Sequence, residues 1–140
     1  MEKTKRIILD TNWYISASIS KKSRHTFYKL LIDKCFTILF SDELLKEYLA
    51  VIRRDKFAKI IKPTQYQRFI KIILPQLEQV TIVTDIALSR DEKDNYLLAM
   101  SIDGNADYLI TGDLDLLVLE NIKSTKIVNV ASFLNEFYNV

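Results

Sequence analysis

The stretch "DYLITGDLDLLVL", residues 107–119, runs from a strand-like apolar segment directly into two carboxylates. Asp113 and Asp115 stand in "TGDLD", and the sequence turns apolar again at once. An unpaired charge at the edge of a core is costly. The pattern therefore indicates that these acids serve a site, and the rest of the chain shows what kind of site it is.

Five short runs rich in Ile, Val, Phe, Tyr and Thr have the character of strands covered on both faces. They are "RIILD" (6–10), "FTILF" (36–40), "VTIVT" (80–84), "DYLIT" (107–111) and "KIVNV" (126–130). Between them lie longer segments with helical spacing, such as residues 41–54, and Pro63 opens another that ends near Pro75. This alternation predicts a three-layer α/β/α fold around a central parallel sheet of about five strands.

Composition places few limits on function. The 140 residues are 49% hydrophobic, which suits one domain over residues 1–140. The net charge of +2 neither requires nor excludes a polyanionic partner. The single cysteine, Cys35, excludes an intrachain disulfide and favours the cytoplasm. No apolar run is long enough for a signal peptide or a membrane span, so we expect a soluble protein without membrane contact.

Acids recur where the predicted parallel strands end. Asp10 follows the first strand and Asp113 the fourth. Glu47 lies on the helix after the second strand, and Asp94 opens the segment "DNYLLAMSI". In parallel α/β folds, ligands bind beyond the carboxyl ends of the strands, near the point where the strand order reverses. The acids are therefore expected to form one pocket at that edge.

A divalent cation gives such a pocket a physical purpose. Mg²⁺ and Mn²⁺ prefer oxygen ligands, whereas neighbouring carboxylates without a cation repel and raise one another's pKa. At a scissile phosphate the cation can activate water and stabilise the departing oxygen. The hypothesis is that Asp10, Asp94 and Asp113 hold one or two ions, while Glu47 coordinates a metal or positions the attacking water.

Structural roles are the alternative for three of these acids. Asp10 could simply cap the following helix. Asp113 and Asp115 could be turn residues after Gly112, because Asp bonds to nearby backbone N–H groups.

The other two acids have alternatives of their own. Asp94 could complete a capping box that begins at Asp91. Glu47 could be a solvated helix residue, although no basic residue lies three or four positions away to pair with it.

Together, "IILDTN", "SDELLKEYLAVI" and "RDEKDNYLLAMSIDGNADYLITGDLDLL" resemble the PIN-domain nucleases, in particular prokaryotic PIN proteins that are toxins of toxin–antitoxin pairs. The resemblance extends from Arg6 to about Phe137. It implies hydrolysis of RNA phosphodiesters with Mg²⁺ or Mn²⁺, a cognate antitoxin and a homodimer. The family's acids fall, in chain order, on Asp10, Glu47, Asp94 and Asp113.

Three further positions follow from the same resemblance. Asp115 matches an accessory acid of such proteins and is a further candidate metal ligand. Thr111 and Asn12 resemble residues that orient the metal ligands through hydrogen bonds.

The sequence also departs from the family pattern. Trp13 and Tyr14 stand where aliphatic residues are usual, so Trp13 either alters substrate entry or belongs to the core. The turn "RDEKDN" lacks a common proline, which leaves Asp91 as an alternative to Asp94.

An acidic pocket repels RNA, so basic residues are expected around it. Two segments supply candidates, "SKKSRH" (20–25) and "RRDKFAKIIK" (53–62), although each could be a solvated face. The candidates are Lys21, Lys22, Arg24, Arg53, Arg54, Lys56 and Lys59. His25 is expected at the surface, without a catalytic role.

Other functions fit the sequence less well. A haloacid-dehalogenase-like phosphatase needs a second Asp two residues after the first, where this chain has Asn12. A receiver-like phosphoacceptor domain needs paired acids early in the chain and a Lys after the last strand. A non-catalytic PIN-fold binding module is a third alternative, and the presence of acids at all four positions argues against it.

Overall fold

In the computed structural model, which describes residues 4–87 and 94–140, six strands form one sheet. The strands are β1 (Lys5–Leu9), β2 (Phe36–Phe40), β3 (Glu78–Gln79), β4 (Tyr108–Ile110), β5 (Asn121–Ile122) and β6 (Thr125–Val128). Their order across the sheet is β3-β2-β1-β4-β6-β5. All neighbours are parallel except the edge pair of β5 and β6.

Helices connect the strands. They are α1 (Thr11–Ile19), α2 (Lys21–Ile32), α3 (Asp42–Ile52), α4 (Asp55–Ala58), α5 (Pro63–Ile73), α6 (Asn95–Asp103), α7 (Leu114–Leu117) and α8 (Val130–Tyr138). A 3₁₀ turn, Leu74–Gln76, follows α5. Among the helices that the structure describes, none combines the length and the apolar character needed to cross a bilayer.

Helices cover both faces of the sheet. Phe36 and Leu39 are three positions apart on β2, so their side chains point to opposite faces. Phe36 packs against Phe133 of α8, with 5.3 Å between ring centroids. Leu39 lies against Gly104, at the end of α6. The predicted three-layer α/β/α fold is therefore confirmed.

The apolar runs of the sequence form the core. Ile7, Ile8 and Leu9 of β1 are completely buried. Tyr14 is also buried, and its ring packs edge-on against Phe27, with 5.1 Å between centroids. Tyr14, one of the two unusual aromatic residues of the sequence, thus belongs to the core.

The predicted strand over residues 80–84 is wrong. The paired strand is limited to Glu78–Gln79; Val80 donates one more backbone bond, to the Phe40 carbonyl over 2.8 Å, and the chain then leaves the sheet. The Asp103 carboxylate accepts hydrogen bonds from the backbone N–H groups of Val83 (2.7 Å) and Thr84 (2.9 Å). These bonds to a side chain replace the ladder that a strand would form. The short antiparallel β5 was not predicted, and it brings the sheet to six strands.

The strand order reverses between β1 and β4. From β1 the chain proceeds to β2 on one side, whereas β4 lies on the other side. Leu9 is in register with Ile110, so Asp10 and Thr111 leave the sheet side by side. This is the position at which open α/β sheets bind ligands.

Candidate acidic active site

Four acids from separate parts of the chain line one small cavity at this edge of the sheet. Its volume is about 40 Å³. The lining residues are Asp10, Thr11, Asn12, Glu47, Asp94, Leu97 and Asp113. The structure thus brings together the four acids that the sequence singled out. We call this cavity with its four carboxylates the acidic cleft.

Asp10 lies at the base of the acidic cleft and is 5% exposed. Its Oδ1 accepts a hydrogen bond from the backbone N–H of Trp13 over 3.3 Å, which caps α1. Its Oδ2 accepts a bond from the Thr111 hydroxyl. Burial raises the pKa of the Asp10 carboxyl; hydrogen bonds from Thr111, Trp13 and Gly112 oppose the shift, and the charge of Asp113 adds to it. Asp10 therefore caps a helix and also faces the cleft.

Asp113 follows β4 and caps the short helix α7. Its Oδ1 accepts a bond from the backbone N–H of Asp115 over 2.9 Å. Its own N–H donates to the Thr111 hydroxyl oxygen over 3.0 Å. The turn role suggested by the sequence is real, and it holds the carboxylate at the cleft.

Glu47 is held by two hydroxyl groups. Its Oε2 accepts a hydrogen bond from the Thr11 hydroxyl over 3.0 Å and another from the Tyr96 phenol. Burial raises the pKa of Tyr96 well above its ordinary value, and the bond to Glu47 adds to the shift. Tyr96 is therefore a protonated donor near neutral pH.

Sequence reasoning missed both of these hydroxyl groups. Thr11 stands inside "LDTN" and Tyr96 two positions after Asp94, so both adjoin predicted acids. Nothing in the sequence shows that they meet Glu47, because that contact joins three separate elements.

The remaining predicted site residues have fewer described contacts at the acidic cleft. Asp94 directly precedes α6, whereas its alternative, Asp91, lies outside the described residues. Asp115 is partly buried and is not part of the described cleft lining. Asn12 is exposed and lines the cleft, but within residues 4–87 and 94–140 its side chain has no hydrogen bond to an acid. The roles assigned to Asp115 and Asn12 remain predictions.

The basic residues predicted to contact RNA differ in their exposure and contacts. Lys21, Lys22 and Arg53 are exposed, and Arg24 donates to the backbone carbonyl of Ser18 over 3.3 Å. Arg54 lines a groove of about 370 Å³. The groove also contains Lys46 and Tyr96, and it shares Glu47 with the acidic cleft. An RNA-binding role for any of these residues remains a prediction.

The chemistry of the acidic cleft suits a hard divalent cation. Its described lining holds four carboxylates and no Lys, Arg or His. Carboxylate oxygens are the ligands that Mg²⁺ and Mn²⁺ prefer. As the side chains stand, no three of the described Asp, Glu, His and Cys residues lie close enough together to coordinate one ion. The donor types therefore fit such an ion, but the carboxylates would have to draw together to hold one.

Comparison with known protein families decides what kind of domain this is. The family model described as PIN domain matches residues 6–115, from within β1 to α7. The chain belongs to the PIN-domain family. The family that the sequence motifs resembled is thereby confirmed, and the matched region contains all four acids of the cleft.

Solved structures give an independent comparison of the fold. This PIN domain is similar to a chain in the crystal structure of VapBC2 from Rickettsia felis bound to a DNA fragment from their promoter. The TM-score is 0.60 and the sequence identity 21%, over 89% of this chain and 98% of that chain. Comparison with curated proteins gives no match. At this identity, the likeness concerns the fold.

Proposed function

We propose that this PIN-domain protein is a ribonuclease that hydrolyses RNA phosphodiester bonds with carboxylate-bound Mg²⁺ or Mn²⁺. The observation that supports this most strongly is the meeting of Asp10, Glu47, Asp94 and Asp113 in one cavity at the switch point of the sheet. The described lining holds four carboxylates and no basic residue, so the carboxylates repel one another. A divalent cation bound between them would relieve this repulsion.

In this proposal Asp10, Asp94 and Asp113 hold the cation, and Asp115 is a further candidate ligand. When bound, the cation supplies an activated water and compensates the charge of the departing oxygen. Since no three of the described Asp, Glu, His and Cys side chains lie close enough to coordinate one ion as they stand, these carboxylates would have to draw together to hold it, with water as a further ligand.

Glu47 is suited to orient the attacking water. Thr11 and Tyr96 both bond to Oε2, while Oε1 accepts no hydrogen bond within the described part of the chain. The two hydroxyl groups restrict the orientation of the carboxylate and leave Oε1 available to a water molecule. Glu47 in this position can accept a proton from water or hold water in line with the phosphate.

The groove with Lys46 and Arg54 offers a path for the RNA backbone. Both side chains carry positive charge, and the groove, whose lining also includes Glu43, contains Glu47. Contacts of this kind neutralise phosphates without reading sequence. They offset the repulsion between RNA and the acidic cleft.

We further propose that the protein is the toxin of a toxin–antitoxin pair and acts in the cytoplasm. The structure of similar fold is VapBC2 bound to promoter DNA, and the sequence motifs resemble those of toxin components. A cognate antitoxin and a homodimer follow from this proposal. The antitoxin is testable by co-expression with a candidate antitoxin and co-purification, and the homodimer by light scattering.

The test of the activity compares substrates. The wild-type protein, with Mn²⁺, is expected to cleave single-stranded RNA, to lose this activity in EDTA, and to leave a phosphomonoester intact. The variants Asp10→Asn and Asp113→Asn are expected to fold, because Asn keeps an acceptor oxygen for the helix caps, and to lose cleavage. Asp85→Asn, at an exposed position, is the matched control and is expected to remain active.

Three outcomes contradict the proposal. Full activity of the Asp10→Asn variant with Mn²⁺ excludes the assignment of that residue. Turnover of the phosphomonoester without RNA cleavage indicates a phosphatase. Binding without turnover of either substrate indicates a non-catalytic module.

A further inference from the structure

A second cavity adjoins the acidic cleft and has a different character. Its volume is about 340 Å³, within the range of small-molecule sites. It shares Asp10 and Asp113 with the cleft, so a group bound in it lies next to the proposed reaction centre. The wall contributed by α1 and the start of α8 includes Trp13, Ser16, Asn129 and Val130. The chemistry proposed above uses none of these four residues.

Trp13 gives this wall a flat aromatic surface. The residue is partly buried and packs against the core, yet it also lines the cavity. It therefore combines a fixed position with an accessible indole. Aromatic side chains held in this way bind nucleic acid bases by stacking, which every base permits.

Asn129 adds a directed hydrogen-bond donor. Its Oδ1 accepts from the backbone N–H of Ser132 over 2.8 Å, which caps α8. Since that oxygen is engaged, the amide orientation is fixed and Nδ2 is the atom available to a ligand. Ser16 and Asn12 place further hydroxyl and amide groups on the same cavity. A planar ligand with carbonyl or ring-nitrogen acceptors suits this combination.

We propose that this cavity, which we call the base pocket, binds one base of single-stranded RNA next to the scissile phosphate. The base stacks on Trp13 and accepts a hydrogen bond from Asn129. Single-stranded RNA is the substrate class that fits, because a base inside a duplex cannot leave its stack without a cost. The inference deepens the proposed ribonuclease function and rests on it.

Trp13 is the only tryptophan of the chain, so intrinsic fluorescence reports directly on the base pocket. The full chain is titrated in EDTA, where no cleavage occurs, with a short single-stranded RNA and with ribose 5-phosphate. Saturable quenching by the RNA and none by the sugar phosphate is expected. Equal responses to both, or no response to RNA, would overturn the proposal.

The second experiment measures the RNA affinity of variants from the anisotropy of fluorescently labelled RNA. Trp13→Leu is expected to weaken binding roughly 5- to 150-fold, the range that loss of one stacked base implies. Trp13→Phe is expected to recover part of the loss. Asn129→Ser keeps an acceptor for the α8 cap but lacks the amide donor, so it is expected to reduce discrimination among the four bases. Asn135→Ser, exposed on the same helix, is the control.

These outcomes separate the base pocket from the nuclease proposal. RNA cleavage with unchanged RNA affinity in Trp13→Leu and unchanged base discrimination in Asn129→Ser refutes the base pocket alone. Quenching by RNA with no cleavage under any metal condition refutes the nuclease and leaves a binding site. If Trp13→Leu fails to fold, the wild-type quenching and the Asn129→Ser anisotropy decide the question.

Discussion

The Thr111 hydroxyl donates a hydrogen bond to Oδ2 of Asp10 over 2.6 Å and so joins two residues 101 positions apart. The same hydroxyl oxygen accepts a bond from the backbone N–H of Asp113 over 3.0 Å. One buried side chain thus fixes the positions of two acids relative to each other. The orienting role that the sequence resemblance implied for Thr111 has a concrete geometry here.

Replacing Thr111 tests that role. Thr111→Val keeps the shape of the side chain but removes both hydrogen bonds. We expect a loss of about 10- to 100-fold in Mn²⁺ affinity and in RNA cleavage, the usual effect of losing a partner of a metal-ligating side chain. Thr111→Ser should retain most of both, since it keeps the hydroxyl. Calorimetric titration with Mn²⁺ and an RNA cleavage assay check this; a Val variant equal to wild type in both would disprove the role.

The raised pKa of Asp10 predicts a pH dependence of stability. Since the folded state holds the Asp10 proton more tightly than the unfolded state, the free energy of unfolding falls as the pH rises above the ordinary value of 3.8. The Asp10→Asn variant has no carboxyl group at this position, so it does not bear the cost of burying the ionised form. In EDTA, the stability of the variant relative to wild type should therefore increase from about pH 3 to pH 7. Urea denaturation at several pH values measures the difference, and a difference that grows on acidification contradicts the prediction.

Tyr96 is expected to act through Glu47. Tyr96→Phe removes one of the two hydroxyl groups on Oε2, so Glu47 loses part of its fixed orientation. We expect RNA cleavage to fall about 10-fold or more, because the carboxylate that orients the attacking water is held less firmly, with little change in the thermal midpoint. Tyr108→Phe is the matched control, because it removes a tyrosine–glutamate bond, to Glu136, outside the acidic cleft. Equal activity losses in the two variants would contradict a specific role of Tyr96.

The two glycines should differ in their tolerance of a methyl group. A Cβ at Gly104 would lie 2.9 Å from both Leu39 Cδ1 and the Met100 carbonyl oxygen, whereas a Cβ at Gly112 meets nothing within 4 Å. Gly104→Ala should destabilise the protein by about 1–3 kcal/mol, the usual effect of overpacking. Gly112→Ala should have little effect on stability, since its φ is not positive. Urea denaturation of both variants checks the difference, and comparable stabilities would show that the α6–sheet contact can relax.

Much of the sheet was predictable because its central strands are buried on both faces and therefore continuously apolar. The predicted range 36–40 coincides with β2, and β4 lies inside its predicted range. Residues 80–84 carry the same β-branched composition, yet their backbone bonds to Asp103, a partner 19 or 20 positions away. This contact with Asp103 depends on the tertiary structure, so the strand propensity of residues 80–84 does not reveal it.

The acidic cleft was predictable for a topological reason. Asp10 and Asp113 follow adjacent parallel strands, so knowledge of the strand ends was sufficient to place them together. The hydroxyl groups of Thr11 and Tyr96 were not predictable, because only the folded chain shows that these two residues meet Glu47.

The most direct test of the central claim, that Asp10, Asp94 and Asp113 hold a divalent cation in the acidic cleft, is a crystal soaked in Mn²⁺ and measured for anomalous scattering. We expect an anomalous peak between Asp10, Asp94 and Asp113 in the wild-type protein and none at that position in Asp113→Asn. A cleft that stays without a peak while Mn²⁺ binds elsewhere on the molecule would contradict the account.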